Sequence, residues 1–222
     1  MTNREHLYRN NEDDNVVRLF VIRHGQTDEN VNKIIQGHKD TALNAVGMQQ
    51  AEQLGRFLKM HGVQFERVVC SDLRRCRETI AQVLAHHAGA PKTELTEGLR
   101  ERHMGEVEGM HIEDAERYAR QQGHASFREL GETEEALERR VAAQLREIVA
   151  AVGPRNVAVV THGGAIRQLL RWLGCGTRFT VYNTSVTVLD YTRSAGTFAV
   201  RTVGSTQHLG DGEFFVSDSR LR

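Results

Sequence analysis

Cysteine is scarce in this sequence, and what there is has no pattern. Cys70, Cys76 and Cys175 are odd in number and form no CxxC pair. That argues against a disulfide framework or a structural zinc site and suits a reducing compartment. A cysteine phosphatase needs C-x5-R, yet the sixth residue after Cys70 is Cys76, after Cys76 it is Gln82, and after Cys175 it is Val181. A surplus of charge is missing too: Lys plus Arg number 29, as do Asp plus Glu. Nothing global therefore draws the chain to nucleic acid or to an anionic membrane, and any phosphate affinity must come from a local cluster. No apolar window reaches bilayer length, and "MTNREHLYRNNEDDN" holds no apolar h-region, so the expected compartment is the cytosol, shared or not with the nucleus. There is no G-x-S-x-G and no "GK" for a nucleotide P-loop, and "GCGTRF" (174–179) lacks the third glycine of a dinucleotide loop.

What is present is alternation. "LFVI" (19–22), "RVVC" (67–70) and "VAVV" (157–160) are short, apolar and β-branched, as in the interior strands of a parallel sheet. Between them run helical patterns. One begins at Asn44 and stops at Gly62; the next has Ser71 or Asp72 as its cap and Leu73, Cys76, Ile80, Val83 and Leu84 as its stripe. A third spans 132–153, ended by Gly153 and Pro154, and a fourth covers 163–174. "FTVYNTSVTVLDYT" and "TFAVRTV" read as a terminal antiparallel hairpin across "RSAG". The fold class is α/β with a mostly parallel central sheet. A polar N-terminus over 1–15 is expected to fray, and 16–222 to form a single domain with an insertion and a short helix at about 102–131.

Two strand tips share one logic. "RLFVIRHGQTDEN" and "VAVVTHGGA" each run from an apolar strand into His-Gly and then a helix. Both histidines, His24 and His162, should sit at the carboxyl edge of the sheet, where ligands bind in open α/β folds. Each glycine lets the backbone approach a ligand, and the helix starts offer N–H groups to an anion. A third tip, "RVVCSDLRRCRET", carries Arg74, Arg75 and Arg77 at a helix start, where cations oppose the helix dipole unless an anion compensates. A histidine or an arginine cluster alone is ordinarily structural or solvated. Together these residues suit a phosphate dianion, whose oxygens match guanidinium forks. His86 and His87 point apart on a helix and no H-x3-H occurs, so no metal site is expected.

"RHGQTDEN", "QGHKDTALNAVGMQQAEQLG", "CSDLRRCRET", "GLRERHMGEVEG", "VVTHGGAIR" and "YNTSVT" resemble, in order and spacing, the motifs of the histidine phosphatase superfamily, from about Leu19 to Val203. The resemblance implies a three-layer α/β/α fold of the phosphoglycerate mutase type. It implies that His24 is the nucleophile, Arg23 and Arg75 the phosphate arginines, Glu101 the proton donor and His162 the second histidine of the phosphate pocket. Arg74 and Arg77 do not match. Asn30 and the Gly163 N–H become phosphate contacts, and Thr27, Gln36, Gly37 and Arg102 further substrate contacts, with Arg102, His103 and 104–130 shaping specificity or merely facing solvent. Physically, a neutral imidazole can attack phosphorus in line and split one hard displacement into two. Positioning and charge stabilisation suffice for the rest, with no metal or cofactor. A carboxyl beside a bound dianion has its charged form disfavoured, so it can begin protonated.

The family divides between mutases and phosphatases. Residues 110–131 lack the proline run and paired arginines of the mutases, the whole chain holding only Pro91 and Pro154, and Met104 stands where mutases spell "ERHYG". The expectation is a phosphatase with an open pocket that takes a small phosphorylated metabolite or a phosphoprotein. The alternatives are a cofactor-dependent phosphoglycerate mutase and a non-catalytic phospho-ligand binding module, which would have no use for Glu101. His208 either lines the site or sits in a loop, the loop being the preferred reading, and Phe214 and Phe215 are expected to pack somewhere.

Overall fold

The computed structural model describes residues 8–151, 153, 155–176 and 180–210. Six strands form one sheet: β1 (Val16–Arg23), β2 (Arg67–Ser71), β3 (Thr93–Thr96), β4 (Asn156–Thr161), β5 (Val186–Thr192) and β6 (Thr197–Ser205), in the order β3-β2-β4-β1-β5-β6. The first four lie parallel; β5 and β6 run antiparallel along one edge. Because side chains alternate across a strand, Leu19 and Val21 enter one core and Phe20 and Ile22 the other. The helices α5 (Glu134–Ala150) and α6 (Gly163–Trp172) cover the first face, and α2 (Ala45–Met60) and α3 (Arg74–Leu84) cover the second. The result is the three-layer α/β/α arrangement. No helix among the described residues is long and apolar enough to cross a membrane.

Local chemistry explains where the elements start. Asn44 accepts the Gly47 N–H at 2.9 Å and opens α2; Thr133 accepts that of Ala136 at 3.1 Å and opens α5. Neither Ser71 nor Asp72 caps α3, contrary to expectation. Leu73 holds the cap position without a side-chain bond, and Asp40, from a distant loop, accepts the Arg74 N–H at 2.5 Å. Ser71 and Asp72 are engaged elsewhere, by His162 and Arg100. α5 ends at Ala150, short of Gly153, and Pro154 lies outside the described residues, as do Phe179, Phe214 and Phe215.

Three further differences have physical causes. From Tyr8 on, the N-terminus does not fray: Tyr8 is 2% exposed with its ring edge-on to Phe57 at 4.9 Å, and Asn11 exchanges hydrogen bonds with Asn156. The hairpin strand begins only at Val186. Before it, Thr184 adopts φ 54° and gives its N–H to the carbonyls of Arg23 and His24, which breaks the extended run. Strand β3 escaped sequence reading because four residues on an edge carry almost no pattern. Residues 104–130 build their own small core from Met104, Val107, Ala115, Ala119 and Phe127 against Ile35, around α4 (Ile112–Gln121).

Candidate active site

Strand register brings the two histidines together. Arg23 on β1 lies beside Thr161 on β4, and the His24 N–H donates to the Thr161 carbonyl at 3.0 Å, so the residues that follow each strand emerge side by side. The His24 and His162 ring centroids are 5.2 Å apart. His24 lines a cavity of about 220 Å³ at the carboxyl edge of the sheet, and His162 lies behind it. The Gly25 carbonyl accepts the His24 Nδ1 proton at 2.7 Å, which fixes the tautomer and puts the ring's lone pair on Nε2. Gly25 is needed where it stands: a Cβ there would lie 2.6 Å from the Gly47 carbonyl oxygen.

Arg75 is 1% exposed, yet its partners are all neutral. It donates to the carbonyls of Lys39 and Gly37 at 2.7 and 2.8 Å, to the Thr41 hydroxyl, and to His162 Nδ1 at 3.2 Å. Burial pulls its pKa below the usual arginine value, although the group stays cationic. A buried guanidinium held only by neutral acceptors is prepared for an anion. Arg23, 3% exposed, donates to the Val181 carbonyl and lines the same cavity. Asn30 does too, in the short α1 (Asp28–Val31). Its Oδ1 accepts from Thr27 N and Asn183 Nδ2, while its buried Nδ2 has no partner among the described residues.

Glu101 sits on the start of α6. Its Oε2 accepts the Gly164 N–H at 2.9 Å, and its Oε1 accepts those of Ala165 at 3.1 Å and Arg102 at 3.0 Å. Gly164 is what admits it: a Cβ there would lie 2.2 Å from Oε1. Gly163, Gln36 and Gly37 also line the cavity.

Several expected residues are placed differently. His162 is 0% exposed and absent from the cavity wall. Its Nδ1 faces Arg75 and its Nε2 faces the Ser71 hydroxyl at 2.9 Å. Burial, reinforced by Arg75, holds its pKa well below the ordinary histidine value, so the ring is neutral and orients Arg75 from behind. Thr27 is 0% exposed and works in a reciprocal capping box with Asn30 rather than facing the cavity. Arg102 lines the cavity but gives its guanidinium to the carbonyls of Glu132, Arg128 and Leu130, so it ties 104–130 to the site. His103 lies outside the wall, edge-on to His38. His208 does not line the cavity; it lies half-buried in a single 3-10 turn, its Nε2 2.9 Å from the Thr184 hydroxyl.

Sequence reasoning missed Asn183, whose Nδ2 donates to the His24 carbonyl at 3.0 Å as well as to Asn30. It also missed Phe127, Arg128, Glu134, Leu137, Arg167 and Gln168 in the wall. For Arg167 there was a signal, since it stands one helical turn after Gly163 in "GGAIR". Among the described residues no group of three His, Cys, Asp or Glu could hold a metal ion. Burial pushes the Cys76 thiol up to about 12, so this cysteine beside His162 is inert.

An oriented imidazole beside two arginines, an open amide and a carboxyl defines the class: a phosphoryl-transfer site. The chain belongs to the histidine phosphatase superfamily (branch 1), whose family model matches residues 19–203. It is 50% identical, over the full length of both chains, to the broad-specificity phosphatase YOR283W of Saccharomyces cerevisiae. It is 31% identical to phosphoglycerate mutase-like protein 4 of Arabidopsis thaliana over 93% of each chain. The crystal structure of phosphoglycerate mutase from Bacillus anthracis superposes with a TM-score of 0.78 at 31% identity, covering 88% of this chain and 96% of that one.

Proposed function

We propose that this phosphatase hydrolyses small phosphomonoesters in two steps through a phosphohistidine at His24, without metal or cofactor. The observation that carries the reading is the 2.7 Å contact from His24 Nδ1 to the Gly25 carbonyl, which leaves Nε2 as the nucleophile next to Arg23, Arg75, Asn30 and Gly163. Nε2 attacks phosphorus in line; the P–N bond forms as the P–O bond to the leaving group breaks. Glu101 passes its proton to the departing oxygen. Oε2, with one backbone donor against two on Oε1, is the oxygen that carries it. In the second step Glu101 takes a proton from water, the water oxygen bonds to phosphorus, the P–N bond breaks and inorganic phosphate leaves. Arg23, Arg75, the Asn30 amide and the Gly163 N–H stabilise the charge spread over the phosphoryl oxygens. His162 acts through Arg75.

Three observations favour hydrolysis of small molecules. A cavity of about 220 Å³ suits a metabolite better than a folded phosphoprotein surface. Met104 lines it where mutases place a tyrosine, and the full-length relative named above is called a broad-specificity phosphatase. The test is p-nitrophenyl phosphate hydrolysis in EDTA, with acid-quench trapping of labelled phosphate on the protein. Wild type should turn over unaffected by the chelator, and His24→Ala should lose activity by more than about 10³-fold together with the trapped label. Equal rates for the two proteins would end the reading. Efficient isomerisation of 3-phosphoglycerate with added 2,3-bisphosphoglycerate would turn it into a mutase.

A further inference from the structure

Positive charge in the cavity exceeds what one phosphate monoester needs. The lining residues include five arginines, Arg23, Arg75, Arg102, Arg128 and Arg167, against two acidic residues, Glu101 and Glu134. Glu134 is already matched by Arg171 at 2.8 Å. Arg23 and Arg75 alone balance a dianion. Arg102 is tied to three carbonyls, and Arg128 lies over the Phe127 ring at 5.1 Å. Arg167 differs from these: its Nη1 is buried with no hydrogen-bond partner among the described residues.

The helix explains where this cation stands. Gly163 and Arg167 are four apart on one face of α6, a rise of about 6 Å, and helical side chains lean back toward the N-terminus. Arg167 Nη1 therefore comes within 3.6 Å of the point where a Gly163 Cβ would be, a point only 3.3 Å from Arg23 Nε. Arg167 thus places its charge immediately beside the phosphate pocket, where like charges disfavour a further cation unless a further anion is present. The next residue, Gln168, also lines the cavity, and its buried Oε1 has no partner among the described residues, an acceptor suited to a hydroxyl.

We infer that Arg167 anchors a second anion subsite beside the phosphate pocket, so that preferred substrates are phosphomonoesters bearing another anionic group, carboxylate or phosphate, a few bonds from the ester. Gln168 accepts a hydroxyl of the same substrate. The inference rests on the hydrolase reading above and names the substrate class for that site.

Matched pairs test it. Phosphoglycolate is compared with 2-hydroxyethyl phosphate, and 1,3-propanediol bisphosphate with 3-hydroxypropyl phosphate; the first pair probes a carboxylate and the second a phosphate. Wild type should favour the more anionic member of at least one pair by about tenfold or more in kcat/KM, mostly through KM, as a charge-assisted contact predicts. Arg167→Gln should bring that ratio to within about threefold of unity, and Arg167→Lys should restore part of it. No preference in either pair overturns the subsite. So does an Arg167→Gln protein that loses both members in equal proportion, which would put Arg167 on the transferred phosphoryl group. If Arg167→Gln fails to fold, the wild-type ratios and Arg167→Lys decide. Wild type inert even toward p-nitrophenyl phosphate would instead sink the hydrolase reading, and this inference with it.

Discussion

Gly164→Ala should separate catalysis from stability. A Cβ at this position would come within 2.2 Å of Glu101 Oε1 and 3.0 Å of its Cδ, with Oε2 at 3.2 Å, and its three nearest neighbours are all that one carboxylate. The carboxylate is the far end of a flexible side chain, so it can swing aside at small cost to the fold. Alanine also replaces glycine inside α6, a change worth up to about 1 kcal/mol in favour of the helix. The melting temperature should therefore hold or rise. Activity should not. A displaced Glu101 gives up its bonds to Gly164 N and Ala165 N and no longer reaches the leaving oxygen. General acid catalysis is typically worth about 10²–10⁴-fold, and an alkoxide needs it far more than a nitrophenolate does. The expected result is a fall in kcat of about 10²-fold or more on an alkyl phosphate such as 2-hydroxyethyl phosphate, and less than about tenfold on p-nitrophenyl phosphate. Equal losses on the two substrates, or full retention on the alkyl ester, would refute the assignment of Glu101 as proton donor.

Gly47→Ala should behave in the opposite way. Its Cβ would strike the Gln26 carbonyl at 2.1 Å and the Gln26 nitrogen at 2.7 Å, backbone atoms that cannot step aside, so denaturant unfolding should show a loss of about 1–3 kcal/mol; an unchanged midpoint would refute it. Arg75→Lys keeps the charge but cannot reproduce the fork that reaches the Gly37 and Lys39 carbonyls and His162 together, and kcat/KM should fall by about 10²-fold; activity within threefold of wild type would contradict it. Burial lowers the His208 pKa to about 3, below its ordinary value of about 6.5. The unfolded chain therefore takes up a proton that the folded one refuses, and stability falls as pH drops below about 6.5. Between pH 7 and pH 5 this group alone should cost about 2 kcal/mol, and the same pH series on His208→Gln should show a slope smaller by that amount. Matching slopes would mean that His208 is not held neutral.

What the sequence made legible was what repeats locally. β1, β2 and β4 lie buried on both faces and announced themselves as unbroken apolar runs. Asn44 was readable because a cap acts within three residues. Glu101 and Arg75 were legible only through motif spacing, since nothing local in "RERH" or "LRRC" says that one lies on the start of α6 and the other behind the nucleophile. What stayed hidden depends on partners remote in the chain. Asp40 caps α3 from another loop, and Arg102 gives its charge to carbonyls up to thirty residues away. His162 was expected in the pocket, but the same burial that marks it as special turns both its nitrogens inward.

The same logic explains why the two His-Gly tips, so alike in sequence, carry different duties. Each follows a parallel strand, but their surroundings are not equivalent. His24 is followed by a loop whose Gly25 carbonyl takes Nδ1, so its ring turns one nitrogen inward and offers the other to the cavity. His162 opens directly into α6, with Ser71 at the end of the neighbouring β2 and Arg75 in the first turn of α3 waiting for its nitrogens. One imidazole can bond to phosphorus; the other fixes the cation that steadies the charge. Exchanging these surroundings at the level of hydrogen bonds is a sharper perturbation than deleting a ring: Ser71→Ala removes the hydroxyl partner of Nε2, leaving it the weaker Cys76 Sγ contact at 3.5 Å, with His162 still in place. Freed on that side, the ring can turn, and Arg75 loses its fixed acceptor. The expected signature is a drop in kcat/KM of about tenfold, with affinity for inorganic phosphate falling in step, as for loss of one buried hydrogen bond at a charged group. A Ser71→Ala enzyme with wild-type phosphate affinity would mean that Arg75 needs no such support, and that the deep placement of His162 serves packing alone.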